Sequence, residues 1–189
     1  SRRWDGLDSD VLIAQKYGED WVNRFWDDIA PALQDSRYIR FDGAPVLVVY
    51  RLGQIPDPLG TIDAWRKRAA ADGHPALHIL AVMPSREVSA ISPQILTSID
   101  GLVGFPPGSD IEIRSVASRL KTHADLEGDF MSYHSAVCWQ NTTTDMSRHY
   151  RGLMPGWDNT ARRGVSAYGF LGPNPVTWRA AVANSINSH

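Results

Sequence analysis

The densest chemistry in this sequence lies between positions 157 and 163, where Trp157, Asp158, Asn159, Thr160, Arg162 and Arg163 stand within seven residues. The indole gives a stacking face, the carboxylate an acceptor, the amide both a donor and an acceptor, and the two guanidinium groups fixed positive charge. Such a set suits hydroxyl-rich or anionic ligands. The same spacing also lets Asp158 cap a turn and pair with Arg162 or Arg163, so spacing alone leaves both readings open.

Other scans return little. The chain has no phosphate-cradling GxxxxGK[ST], no GxGxxG after a strand, no GxSxG elbow and no HExxH. His123, Asp125 and Glu127 alternate as metal ligands on a strand would, and Cys138 lies four residues from His134 as a nucleophile pair would. Chance groupings of this kind are common. The first therefore reads as loop polarity and the second as a small buried thiol, with no metal or cofactor demanded.

The elements that must position these residues alternate between helix and strand patterns. Trp21, Phe25, Ile29 and Leu33 recur every four residues among polar neighbours, which predicts an amphipathic helix opened by Asp20 and loosened at Pro31. A strand at 38–40, the tight-turn pair Asp42-Gly43 and a nearly all-apolar strand at 45–50 follow, the last ending in Tyr50-Arg51. A helix over 61–71 and a second apolar strand over 76–83 complete a strand-helix-strand unit. The pattern continues with a short helix at 89–98, a strand at 101–105 ended by Pro106-Pro107-Gly108, and a helix at 111–121.

Residues 122–149 show no period and read as a long excursion. A poor strand at 151–157 and a terminal helix from 174 or 175 to 184 close the chain. Repeated βα units predict parallel strands with helices outside, in an open sheet or part of a barrel, and chemistry beyond the carboxyl ends of the strands. Those ends are Tyr50-Arg51, Met83-Pro84-Ser85, Phe105-Pro106-Pro107 and the run from 157 to 163.

Composition bounds the answer. The length of 189 residues, 43% of them hydrophobic, predicts one compact body. A formal charge of −2 removes the electrostatic case for nucleic acid. The longest apolar run, 45–50, is far short of the roughly 20 residues of a membrane span. Seven Trp, six Tyr, five Phe, 15 Gly and 12 Pro supply aromatic faces and the loops to hold them, a common means of gripping sugar rings, but most of the Trp equally suit a core, and position along the chain has to decide between the two. A start at Ser1 with no signal pattern suggests a piece of a longer polypeptide, and a single cysteine leaves the compartment undecided.

Four blocks carry a resemblance. They are Arg2-Arg3-Trp4-Asp5-Gly6 with Val11-Leu12-Ile13-Ala14-Gln15, the run 35–45 before the strand ending Tyr50-Arg51, Phe105-Pro106-Pro107, and the run 154–163. In this order the chain resembles the WbsX family, a glycosyltransferase-like family of bacterial polysaccharide and lipopolysaccharide biosynthesis related to glycoside hydrolase family 99. The resemblance implies part of a (β/α)8 TIM-type barrel of about twice this length, with residues 1–189 as one partial domain and the strands near 45–50, 77–83, 101–105 and 151–157 as the fourth to seventh.

Carried over motif by motif, the resemblance makes Arg3, Trp4, Asp5, Tyr50, Arg51, Trp157, Asp158, Asn159, Arg162 and Arg163 the substrate-binding residues. Trp4 and Trp157 become stacking platforms, Asp158 and Asn159 hydroxyl partners, and Arg162 and Arg163 a site for an anionic group or a brace for Asp158. The related hydrolases retain configuration with two carboxylates and the sugar's own 2-hydroxyl. Two acidic family motifs are absent from this chain, and Gly104 and Ala44 stand where the family pattern has an acidic residue and a lysine.

The resulting expectation is a carbohydrate-active domain acting on a glycan or glycoconjugate by breaking or making glycosidic bonds. A glycan-binding module without catalysis and a nucleotide-sugar-dependent transferase are the alternatives. The open edges of a partial barrel predict self-association.

Overall fold

The computed structural model describes residues 11–82, 92–107, 113–119, 125–142 and 148–187. Its contacts divide the chain into two compact units, each assembled from separated stretches of sequence. One is formed by Lys16–Phe105 with Met146–Arg151, the other by Ser1–Gln15, Pro106–Asp145 and Gly152–His189.

The first unit, here the sheet unit, is built on five strands. They are β1 (Arg40–Phe41), β2 (Ala44–Tyr50), β3 (His78–Val82), β4 (Gly101–Val103) and β6 (His149–Tyr150), in the order β1-β2-β3-β4-β6. β1 and β2 form an antiparallel hairpin through Asp42 and Gly43, whose positive φ angles of 47° and 81° meet the demand of a two-residue turn. The other pairings are parallel, with Tyr50 beside Val82, Val82 beside Val103 and Val103 beside Tyr150. The protein is thus mixed α/β, with four parallel strands laid down in sequence order.

One face of this sheet is covered by α1 (Trp21–Gln34) and α2 (Pro58–Ala71). Leu47 and Val49 of β2 and Ile79 and Ala81 of β3 alternate onto that face, where they pack with Trp26, Leu33, Ile62, Trp65 and Ala69. The indole Nε1 of Trp26 donates to Asp72 Oδ2 at 2.7 Å, tying α1 to the end of α2. Asp100 Oδ2 accepts from the Ile79 backbone N–H at 2.8 Å and from Arg66 at 2.9 Å, which fixes α2 against the start of β3.

Helix boundaries differ from expectation for identifiable reasons. Helix α2 opens at Pro58 rather than 61, because Asp57 accepts from the Gly60 N–H at 3.0 Å and proline is pre-set for a first turn. Helix α1 runs through Pro31, and Asp20 precedes it without capping it, its Oδ1 accepting instead from the Asn23 side chain. Of the expected helix at 89–98, α3 occupies Pro93–Ser98, and residues 83–91 lie outside the described residues.

The second unit contains a parallel pair, β5 (Asp129–Ser132) and β7 (Tyr168–Leu171), in register Asp129 to Tyr168. With α4 (Tyr133–Thr142), α5 (Thr160–Arg163) and α6 (Pro175–Asn187), it closes on Met131, Tyr133, Ala136, Val137, Met154, Phe170 and Ala181. The Tyr133 hydroxyl donates to the Met154 carbonyl at 2.7 Å inside this core.

Several expectations are corrected here. The supposed excursion at 122–149 contains β5 and α4, and β7 lies where no strand was expected. Both strands are only four residues long, Asp-Phe-Met-Ser and Tyr-Gly-Phe-Leu, too short to show a period. The strand expected at 151–157 is instead β6 at 149–150. The described part of the expected helix at 111–121 holds only a 3-10 turn, Ala117–Arg119. Cys138 is exposed rather than buried, its Sγ 3.6 Å from His134 Nε2 one turn back on α4.

Candidate functional site

In the sheet unit the carboxyl ends of the parallel strands bring Tyr50, Arg51 and Phe105 together. Tyr50 ends β2 where the sequence reading put it, and Arg51 takes a left-handed conformation at φ 53°, ψ 56°. That backbone is pinned on both sides: the Arg51 N–H donates to the Val82 carbonyl at 3.0 Å, and the Arg51 carbonyl accepts from Gln54 N–H at 2.9 Å. A left-handed arginine costs on the order of 1 kcal/mol and is uncommon outside constrained sites.

The constraint lays the guanidinium carbon of Arg51 5.3 Å from the centroid of the Tyr50 ring. On another side Tyr50 meets Phe105, two strands away, with ring centroids 5.4 Å apart and planes at 53°. Gly104, just before Phe105, is held by its N–H to the Tyr150 carbonyl at 2.8 Å. The rim therefore offers two aromatic rings and a cation on backbone that the ladder fixes.

In the second unit, the residues from 157 to 159 lie antiparallel beside β7. Phe170 N–H donates to the Trp157 carbonyl at 2.9 Å and Asp158 bridges Gly169. The Trp157 side chain is partly open to solvent, at 36% exposure. Asp158 Oδ1 accepts from the Thr160 N–H at 2.8 Å, and the hydrogen bonds from Thr160, backbone first, hold this carboxyl below its ordinary value. Asn159 is buried, with Oδ1 accepting from the Tyr168 N–H at 2.7 Å. Arg162 and Arg163 are exposed on the single turn of α5.

The turn-capping reading of Asp158 is thus realised through Thr160, and the amide oxygen of Asn159 serves the fold. Trp157, Arg162 and Arg163 keep side-chain surface that a ligand can reach. Arg3, Trp4 and Asp5 lie outside the described residues, as does the strand end at 83–85. Among the described residues no cluster of three or more His, Cys, Asp or Glu side chains is arranged to hold a metal, and no helix is long and apolar enough to cross a membrane.

Two contacts escaped the sequence reading. Phe105 was visible as a strand end, yet nothing in its spacing joins it to Tyr50. The pairing of His78 Nε2 with the Tyr150 hydroxyl, at 3.1 Å, was hidden because Tyr150 stands between the supposed excursion at 122–149 and the strand expected at 151–157.

The whole chain, residues 1–189, matches the profile of the family described as "Glycosyltransferase WbsX". Two curated relatives, both named "Uncharacterized protein WxcX" and both from Xanthomonas campestris pv. campestris, strains ATCC 33913 and B100, are 28% identical over 193 residues. The alignments cover 98% of this chain and 26% of each relative, so the chain spans about a quarter of the length of the curated relatives it matches. No solved structure matches it.

Proposed function

The chain belongs to the glycosyltransferase WbsX family, and on that premise we propose that it is a carbohydrate-active domain that breaks or makes glycosidic bonds in bacterial surface polysaccharide or lipopolysaccharide metabolism. The observation that carries this reading is the rim of the sheet unit. Of the four parallel strands in sequence order, β2 runs out into Tyr50 and Arg51 and β4 into Phe105, aromatic and cationic groups suited to a sugar ring, at the end of the sheet where βα architectures place their ligands. Trp157, Arg162 and Arg163 of the second unit supply a further stacking face and positive charge for the same class of ligand, and Arg3, Trp4 and Asp5 are proposed to join them.

The sequence-ordered parallel strands also support residues 1–189 as one part of a (β/α)8 barrel. In that reading the chemistry is of the glycoside hydrolase family 99 type, acting on mannoside-like sugars. One carboxylate acts as base on the sugar's 2-hydroxyl, the other as acid on the leaving oxygen, with net retention.

A second reading, a glycan-binding module without catalysis, is favoured by one observation. Among the described residues, the carboxylates that follow β2 and β6, Asp57 and Asp158, both accept from backbone N–H groups, of Gly60 and Thr160, and so serve turns.

The test is an assay of the full-length protein on manno-oligosaccharides and bacterial polysaccharide fragments, read by anomeric proton NMR. Release of a sugar with retained configuration is the expected result. Tight glycan binding without turnover would replace catalysis by the binding module, and neither binding nor turnover would overturn the carbohydrate reading.

A further inference from the structure

We propose that Phe105 and Tyr50 form a two-sided aromatic subsite that takes the C–H face of a pyranose ring on Phe105 and a sugar hydroxyl on the phenol of Tyr50. This rests on the carbohydrate-active reading above and assigns a residue, Phe105, that the motif carry-over did not include.

Exposure is the first observation. Tyr50 is 50% and Phe105 51% exposed, while Trp26 and Trp65 of the same unit are fully buried. The core of this unit can therefore enclose large aromatics, and leaving half a phenylalanine in water forgoes about 1 kcal/mol of burial. Such exposure at one place on the rim is what a ligand-stacking position requires.

Geometry is the second. Planes tilted by 53° with centroids 5.4 Å apart make an open wedge rather than a closed stack. One wall can lie under the flat apolar side of a sugar while the other borders its edge. The Tyr50 wall is held by its ladder position beside Val82 and by the Arg51 guanidinium at its ring, so it does not need the ligand to set its direction.

Unused bonding capacity is the third. Among the described residues the Tyr50 hydroxyl, like that of Tyr17, makes no hydrogen bond, whereas those of Tyr38, Tyr133, Tyr150 and Tyr168 each have a partner. A phenol at the mouth of an aromatic wedge can both donate to and accept from a sugar hydroxyl.

The experiment uses the full-length protein and a printed array of bacterial polysaccharide fragments and manno-oligosaccharides. The strongest binder is then titrated calorimetrically against wild type, Phe105→Ala, Phe105→Trp and Tyr50→Phe, each checked for an unchanged thermal melt. Phe105→Ala is expected to weaken binding about 10-fold, Phe105→Trp to stay within about 3-fold, and Tyr50→Phe to lose about 3- to 5-fold. Wild-type affinity in Phe105→Ala, or an equal loss in Phe105→Ala and Phe105→Trp, would overturn the subsite while leaving the carbohydrate reading standing. Displacement of the glycan by a nucleoside diphosphate alone would also overturn it, by showing that the wedge takes a base. An array on which wild type binds nothing would remove both readings together.

Discussion

The phenol of Tyr150 reaches back over β4 to the ring of His78, its hydroxyl 3.1 Å from Nε2, and passes above Gly101 on the way. A Cβ at Gly101 would lie 2.9 Å from the Tyr150 ring and 2.6 Å from the Arg148 carbonyl oxygen. The glycine is thus the gap through which β6 is joined to β3, and on the other side His78 stacks on Phe41 of the β1–β2 hairpin at 4.5 Å. One His–Tyr pair spans most of the width of the sheet.

Gly101→Ala should therefore destabilise the sheet unit by about 1–3 kcal/mol, as overpacking against backbone does. Tyr150→Phe, which removes only the hydroxyl, should cost about 1 kcal/mol. Combining Gly101→Ala with Tyr150→Ala should recover little, because the Arg148 carbonyl remains in place. Urea unfolding followed by the fluorescence of buried Trp26 and Trp65 measures all three, and a Gly101→Ala midpoint equal to wild type would contradict the close approach.

Trp26→Phe should lower stability by about 1–3 kcal/mol, through a smaller ring in a fully enclosed site and the loss of the donor to Asp72. Asp72→Asn keeps an acceptor oxygen and should cost much less. Equal losses in the two variants would mean that the charge at the end of α2, rather than the indole bond, is what matters.

The second unit should weaken at alkaline pH. Burial raises the phenol pKa of both Tyr133 and Tyr168, with Arg163 partly offsetting the second. A raised native pKa means that the unfolded chain gives up its proton first. The stabilisation is complete below the unfolded value of roughly 10 and is lost as pH rises through the native one. Thermal melts from pH 8 to 11 should show the decline, and Tyr133→Phe should flatten it at the cost of about 1 kcal/mol near neutrality.

How much of this was legible in the sequence depends on element length. The helix around Trp21 shows itself over several turns, the strand ending in Tyr50 by an unbroken apolar run, and the Asp42-Gly43 hairpin by its turn chemistry. β5, β6 and β7 have two to four residues each and owe their existence to partners far along the chain, so no local pattern marks them. The site divides the same way. Motif matching found Trp157 and its neighbours, but not that Asn159 is buried under Tyr168, because a buried and an exposed asparagine look alike in sequence.

Asn159→Ala should accordingly act on folding. It strips the acceptor from the Tyr168 N–H at the start of β7 and should cost about 1–3 kcal/mol. Asn159→Asp keeps an oxygen in place and should melt closer to wild type at neutral pH. Should both variants melt as wild type yet lose glycan binding, the amide would be a ligand contact after all.

The left-handed backbone of Arg51 separates strain from function. Arg51→Ala and Arg51→Gly delete the same guanidinium, but only glycine accepts φ 53° without a Cβ clash, so the glycine variant should be the more stable by about 1 kcal/mol. Loss of the cation beside Tyr50 is common to both, so their glycan affinities should fall together. That pattern, unequal melts with equal binding losses, would mean that the strained turn is kept for the side chain it presents at the rim. Equal melts would mean that residue 51 relaxes out of the left-handed region once the arginine is gone, and that the side chain itself holds the turn.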